Sequence, residues 1–236
     1  IWPGNADSWY SKKRSTLAAT LVFTSPGIPM IFQGQEFLMD GWFDDSEPLD
    51  WARADTYAGI TTLYRDLIAL RRNLSGNTRG LTGSHVNVHH VNDWNKVIGF
   101  HRWMDGGAGD DVIVLANFGN TAWDAYRIGV PHGGLWQVRY NSDDMTYDPE
   151  FDGHIVADVE AEAIPYDGLG WSIDLGIGPY TAVILSQSPA CPADLDGNGA
   201  VDVNDLLMII ASWGTPDADV TGDGQTTVDD VLAVLS

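Results

Sequence analysis

Between residues 83 and 187 apolar residues recur in short runs separated by Gly, Asp and Asn. "HVNVHHV" alternates apolar and polar positions; "NDWN" turns into "KVIGFHRW", and "MDGGAGDD" into "VIVLANF". "WDAYRIGV", "GLWQVRY", "HIVADV", "WSIDL" and "TAVILSQ" continue the series. Successive side chains of a strand face opposite ways, and tight turns favour these small polar residues. The region therefore predicts an antiparallel β-sandwich.

Residues 1–82 follow a different period. In "DSWYSKKRSTLAATLVF", Asp7 or Ser8 can cap a helix whose apolar face carries Leu17, Leu21 and Val22, and "SPG" ends it. "IPMIFQG" (28–34) is a continuous apolar run bounded by glycines, which predicts a strand buried on both faces, as in a parallel sheet. Pro29 fits only near the start of such a strand. Tyr57, Ile60, Leu63, Tyr64, Leu67, Ile68 and Leu74 then recur at helical spacing, with Arg71 and Arg72 in the last turn, where they complement the helix dipole. Helix, strand and helix in this order make a piece of an α/β fold. One strand cannot form a sheet, so its partners are expected upstream of Ile1.

After the small-residue linker "SQSPACPAD" the chain repeats itself at an offset of 25 residues. Asp194 aligns with Asp219, Asn198 with Asp223, Gly199 with Gly224 and Asp205 with Asp230. Val203, Leu206, Leu207 and Ile210 align with Val228, Val231, Leu232 and Leu235, one helical face in each copy. The aspartates have the spacing of a calcium loop, in which alternating oxygens converge on a hard cation and a glycine makes the sharp turn. The first loop offers Asp194, Asp196, Asn198, the Ala200 carbonyl, Asp202 and Asp205. The second offers Asp219, Thr221, Asp223, the Gln225 carbonyl, Thr227 and Asp230. Two Ca²⁺ sites are expected, the second weaker because Thr221 replaces a better ligand. Both loops end in Asp rather than Glu, a shorter arm for bidentate coordination. The competing reading is an Asp/Gly turn before a capped helix; recurrence in the same register argues against it.

Charge sharpens this picture. The 236-residue chain has a formal net charge of −21. Its last basic residue is Arg139, and residues 140–236 carry no Lys or Arg. Such a balance argues against a nucleic-acid partner. No apolar run is long enough for a membrane span. The single cysteine, Cys191, cannot form an internal disulfide and leaves the redox compartment undecided. The opening "IWPGNADSWY" is not a signal peptide and begins with Ile, so the chain is expected to be the C-terminal portion of a longer protein.

Candidate chemistry gathers after the apolar run at 28–34. Glu36 lies just past it, and the following loop carries Asp40, Asp44, Asp45 and Glu47. Carboxylates at the C-terminal end of a barrel strand suit glycoside hydrolysis; the alternative is a structural Glu36 and a solvated acidic loop. Adjacent His89 and His90 point to opposite faces of a strand and do not converge on a metal. Trp42 and Trp94 are the tryptophans expected to be exposed.

"GIPMIFQGQEF", with Gly27, Pro29, Gly34 and Glu36, resembles the G-x-P-x-x-x-x-G-x-E signature of the last barrel strand in the α-amylase superfamily. "LDW" (49–51) and the helix ending "ALRRN" resemble the run into the last barrel helix, and "DVIVLANFGN", "YRIGVPHGGLWQVRYNSD" and "IGPYTAVIL" its C-terminal sandwich. The repeat at 194–236 resembles the dockerin module. These resemblances imply a multidomain chain: the end of a (β/α)8 TIM barrel (1–82), an antiparallel β-sandwich (83–187), and a small α dockerin-like module of two calcium loop–helix repeats (188–236). They imply a parent glycoside hydrolase or glycosyltransferase acting on α-glucans of the starch or glycogen kind. Cleavage or transfer of α-1,4 bonds would be retaining, through a covalent glycosyl-enzyme intermediate. The superfamily's catalytic carboxylates have no equivalent in these residues, so no catalytic residue is assigned and the chain alone is expected to be inactive. The dockerin resemblance implies a cohesin-like protein partner and an extracellular or cell-surface location. Val203–Asn204 and Val228–Asp229 stand where well-known cellulosomal dockerins carry small hydroxyl pairs. The second function class is a non-catalytic adaptor that docks in a calcium-dependent way.

Overall fold

The computed structural model describes residues 4–42, 44–189, 191–195 and 201–235. The chain forms two compact units, Ile1–Ser188 and Pro189–Ser236.

The first unit is built on helix α1 (Trp9–Thr24), the short α2 (Ala52–Thr56), α3 (Ala58–Arg71) and eight strands. Ser8 caps α1 by accepting from the Ser11 N–H at 3.3 Å. The strands are β1 (His85–Asn92), β2 (Val97–Trp103), β3 (Val112–Asn117), β4 (Trp123–Val130), β5 (Gly134–Asn141), β6 (Val159–Ala161), β7 (Trp171–Ile177) and β8 (Thr181–Ser186). Six pair in the order β1-β2-β3-β8-β5-β6, and β4 pairs with β7 in a second sheet; every pairing is antiparallel. The antiparallel sandwich expected from the turn-punctuated runs is present. Of "HIVADV" only its last residue, Val159, enters a strand, β6 (Val159–Ala161).

Two cores share the six-stranded sheet. On one face Val112, Val114, Phe100 and Ile184 pack with Ala19 and Phe23 of α1 and with Ile60, Leu63 and Leu67 of α3. On the other, Ile113, Leu115, Val183 and Leu185 pack with Tyr126, Ile128, Ile173 and Leu175 of the second sheet. Every residue of β3 and β8 is buried, which explains why both read as unbroken apolar runs rather than alternations. Each such aliphatic side chain contributes roughly 1.5–3 kcal/mol when removed from water. Asn117 closes β3 and is itself buried, its amide donating to the Thr121 and Gly178 carbonyls at 2.8 Å each.

Polar joints fix α1 to the sandwich. The Lys13 ammonium donates to Asp143 and, at 3.0 Å, to Thr181 Oγ1, and the Lys13 and Asp143 side chains are both 0 % exposed. Asp143 also accepts the Asp152 and His154 N–H groups, each at 3.1 Å. Burial pushes the Lys13 ammonium below its ordinary value, with Asp143 opposing. The buried Arg102 of β2 donates to the carbonyls of His85, Thr24, Leu81 and Gly83, and burial with the repulsion of Arg71 pushes it down to about 10.

One expectation is corrected. Residues 28–34 form no strand: no strand pairs with them among the described residues. Ile28, Met30 and Phe32 are 97, 84 and 58 % exposed, while the intervening Ile31 packs on the helix core. A strand is held by ladder hydrogen bonds to neighbours, and apolar content without them leaves an extended segment with one bare face.

Removing one partner of a buried ion pair strands the other charge, so Lys13→Met is expected to lower the stability of the first unit by about 3–5 kcal/mol in urea denaturation. A second expectation concerns Asp110. Its burial raises the carboxyl's pKa, but N–H groups of Asp105, Met104 and Gly106 and the charge of Arg79 hold it below its ordinary 3.8. A depressed carboxyl stabilises the fold above its ordinary value and loses that effect as pH falls through the folded one. The midpoint of the Gly106 amide-proton NMR shift against pH should therefore fall below the carboxyl's ordinary 3.8.

Candidate functional site

The second unit places helix α4 (Val203–Ala211) and helix α5 (Val228–Val234) after the two acidic loops. The helices start alike. Asp202 caps α4 and Thr227 caps α5, and each capping box is closed by the aspartate three residues on, Asp205 or Asp230. Asp205 accepts from Asp202 N at 2.7 Å, and Asp230 from Thr227 N at 2.7 Å. Asp205 also takes the Leu195 N–H at 2.7 Å; Asp230 takes the Thr221 N–H and Oγ1, each at 2.9 Å. Both carboxylates are buried. Those N–H donors, Thr227 foremost and then Thr221, hold the Asp230 carboxyl below its ordinary range.

Of the first loop, Asp194, Asp202 and Asp205 are described, while Asp196, Asn198 and Ala200 lie outside the described residues. The whole second loop is described. Asp219 accepts from Gly222, Asp223 and Gly224 at 2.7, 3.0 and 2.6 Å, folding the chain back over its own carboxylate. Asp223 accepts from Gln225 N at 2.9 Å, and Thr221 Oγ1 reaches Asp219 at 3.3 Å. Gly224 has φ +95°, a conformation that side chains disfavour, at the position where a calcium loop turns. Residues 219–230 thus share one compact loop closed on Asp230. Their donor set is all oxygen, which suits a hard cation. Among the described residues, no three His, Cys, Asp or Glu side chains converge as metal ligands.

The acidic stretch near Glu36 is organised otherwise. Glu36 lies in a 3₁₀ turn, Gln35–Phe37, entered through Gly34 at φ +82°. Its Oε2 is buried without a hydrogen-bond partner among the described residues. Burial, with the Glu36 charge adding, raises the Tyr64 pKa. Asp40 accepts the Gly4 N–H, and Asp44 the Ser46 N–H and hydroxyl. Asp40, Asp44 and Glu47 line a cleft of about 730 Å³ together with Phe32, Trp42 and Met39. Two of its carboxylates are thus engaged in holding backbone and turns. His89 and His90 diverge: His89 meets the Gly129 carbonyl at 3.0 Å, and His90 lies between Asp167 and Tyr126. Trp42 and Trp94 are 80 and 93 % exposed.

Sequence spacing did not disclose Asp143 or Arg102, because their partners lie far away in the chain. The available signal was the pair Lys12–Lys13 in a helix whose next turns are largely apolar.

Residues 74–188 match the sequence family described as "Alpha amylase, C-terminal all-beta domain". The 1,4-alpha-glucan branching enzyme GlgB of Frankia casuarinae is 30 % identical over 195 residues, 79 % of this chain and 23 % of that protein. That of Cupriavidus pinatubonensis is 34 % identical over 173 residues, 71 % of this chain and 23 % of the relative. The chain therefore spans about a quarter of the length of the curated relatives it matches. A pullulanase from Anoxybacillus sp. LM18-11, solved with maltotetraose, shares the fold at a TM-score of 0.52 and 20 % identity, over 77 % of this chain and 24 % of that one.

An alanine at position 224 has to adopt the disfavoured φ. Gly224→Ala is expected to cost the second unit about 1–2 kcal/mol. Hydrogen exchange of α5 amides in the full chain reads this, with Gly170→Ala, which meets open space, as the neutral control.

Proposed function

Starting from a sandwich typical of the α-amylase C-terminal all-β domain, with relatives that support the α-amylase superfamily, we propose that this chain is the C-terminal part of an enzyme acting on α-1,4-glucans. The observation that carries the reading is the pairing of that sandwich with α1, α3 and the bare segment at 28–32. Ile31 turns into the helix core while Ile28, Met30 and Phe32 face outward. That alternation suits the last strand of a (β/α)8 barrel, completed by strands that a longer protein supplies. In this reading Glu36 is a structural residue beyond the strand end, and the reacting carboxylates belong to the rest of the barrel. The chain's own share is mechanical: Lys13–Asp143 and Arg102 lock the last barrel helices to the sandwich. Iodine staining of soluble starch treated with the longer protein should show loss or change of the glucan complex, and deletion of residues 28–36 should abolish it. A longer protein inert on starch and glycogen overturns the assignment.

A second reading concerns the tail, and the recurrence of one loop-and-cap geometry at an offset of 25 residues favours it. In it residues 194–205 and 219–230 each hold a Ca²⁺ ion, which would neutralise the clustered carboxylates and let the loops close. The second site is the weaker because Thr221 gives a hydroxyl where the first loop gives Asp196. The unit then serves as a dockerin-like protein-docking module. Val203, Leu207 and Ile210 on α4, and Val228 and Leu232 on α5 with Leu235 just past its end, form matching exposed apolar stripes that suit a cohesin-like partner. An extracellular or cell-surface setting accords with calcium supply. Titration calorimetry of the metal-depleted chain should show two Ca²⁺ uptake events of unequal affinity, with helicity gained in circular dichroism. Absence of any Ca²⁺ uptake removes this part of the proposal and leaves the α-glucan reading standing.

A further inference from the structure

The N-terminal turn of α1 and the β7–β8 turn together build an aromatic cluster, with Tyr10 exposed and Trp9 and Tyr180 half-buried, that the preceding functions do not use. Trp9 and Tyr10 meet edge to face with centroids 4.8 Å apart, and Tyr180 stands 5.9 Å from each, tilted by 74 and 75°. Arg14, one turn after Tyr10, lies between the two tyrosines, its guanidinium 5.2 Å from the Tyr10 ring and 4.9 Å from the Tyr180 ring. Its one hydrogen bond is to Tyr180 Oη at 3.4 Å, and it has no carboxylate partner among the described residues, in a chain of net charge −21. Arg14 is exposed, and Tyr10 is 48 % exposed.

Two features need a cause. Tyr180 has φ +46°, a conformation unusual for a bulky side chain, in a turn where glycine would sit without strain. Backbone strain of this kind persists where the side chain is needed and clusters at binding sites. The second feature is the guanidinium, held near two rings with a single hydrogen bond among the described residues. Arg14 is the exposed cation of the cluster, while the Lys13 ammonium, 5.8 Å from the Trp9 ring, is buried and paired with Asp143, so the surface is a poor anion site. It suits a neutral ligand that presents C–H faces to aromatic rings and hydroxyl oxygens to fixed donors, which is the chemistry of a sugar chain.

We propose that Trp9, Tyr10, Arg14 and Tyr180 form a surface carbohydrate site that holds an α-1,4-linked glucose chain. The choice of α-linked glucose rests on the function proposed above; the platform itself rests on the cluster geometry. A clamp that only fastened α1 would bury Tyr10 and give Arg14 a carboxylate partner.

The test is titration calorimetry of the 236-residue chain with maltoheptaose and with cellohexaose, for the native protein and for Tyr10→Ala, Arg14→Gln and Tyr180→Gly. Thermal midpoints are measured in parallel. The native chain should bind maltoheptaose in preference to cellohexaose, and each variant should weaken that binding about tenfold or more, while Tyr180→Gly, relieved of its positive φ, keeps or raises the midpoint. Maltoheptaose binding that is absent, or unchanged in the variants, overturns the site. A midpoint that collapses in all three variants assigns the cluster to holding α1 in place and overturns it as well. Equal binding of both oligosaccharides, lost in the variants, supports the platform and overturns its α-glucan selectivity.

Discussion

The fold of the first unit depends on one buried ion pair. Lys13 projects from the middle of α1 into the sandwich, and Asp143 receives it while also accepting the N–H groups of Asp152 and His154. Desolvating two charges is costly, and such a pair persists only where its remaining hydrogen bonds are met. Here they are, because Thr181 takes another ammonium proton and the N–H groups of Asp152 and His154 donate to the carboxylate. Arg102 repeats the solution without an anion, by satisfying its guanidinium with backbone carbonyls from α1, the 81–83 turn and β1. Several of the chain's few cations are thus turned inward as joints, Lys12 among them through Asp148 and Glu150. That leaves the surface with less positive charge than the composition alone indicates.

The fold was legible where local chemistry decides it. Turn residues between short apolar runs gave the strands, and the helical repeat from Tyr57 to Leu67 gave α3. The apolar run at 28–34 misled because hydrophobic content speaks to burial, whereas a strand also requires partners for its backbone. "VIVLAN" and "TAVILS" have similar content and are strands, since each has neighbours on both sides. What spacing could not supply was the joining of α1 and α3 to the sheet as one body. That joining comes from pairs such as Lys13–Asp143 and Thr20–Tyr140, more than a hundred residues apart in the chain.

The helix starts of the second unit were legible for another reason. The same residues recur at a constant offset, and α4 and α5 carry matching capping boxes. The aromatic cluster around Arg14 was not legible at all. Trp9, Tyr10 and Arg14 read as ordinary helix residues, and the strain at Tyr180 is a property of the backbone that no side-chain pattern announces.

Asn117 carries a consequence for how the central sheet finds its alignment. A strand buried on one face is held in place by its own alternation, since a slip of one residue turns its apolar side chains towards water. Strand β3 lacks that protection: Val112 to Ala116 are apolar on both faces, and a shifted pairing would still bury them. The discrimination therefore falls to its terminal amide, which finds the Thr121 and Gly178 carbonyls in the native pairing alone and would otherwise be sealed among aliphatic groups. A misaligned β3 would leave that hydrogen bonding unmet, so the register of this sheet is guarded by a buried polar side chain among its aliphatic neighbours.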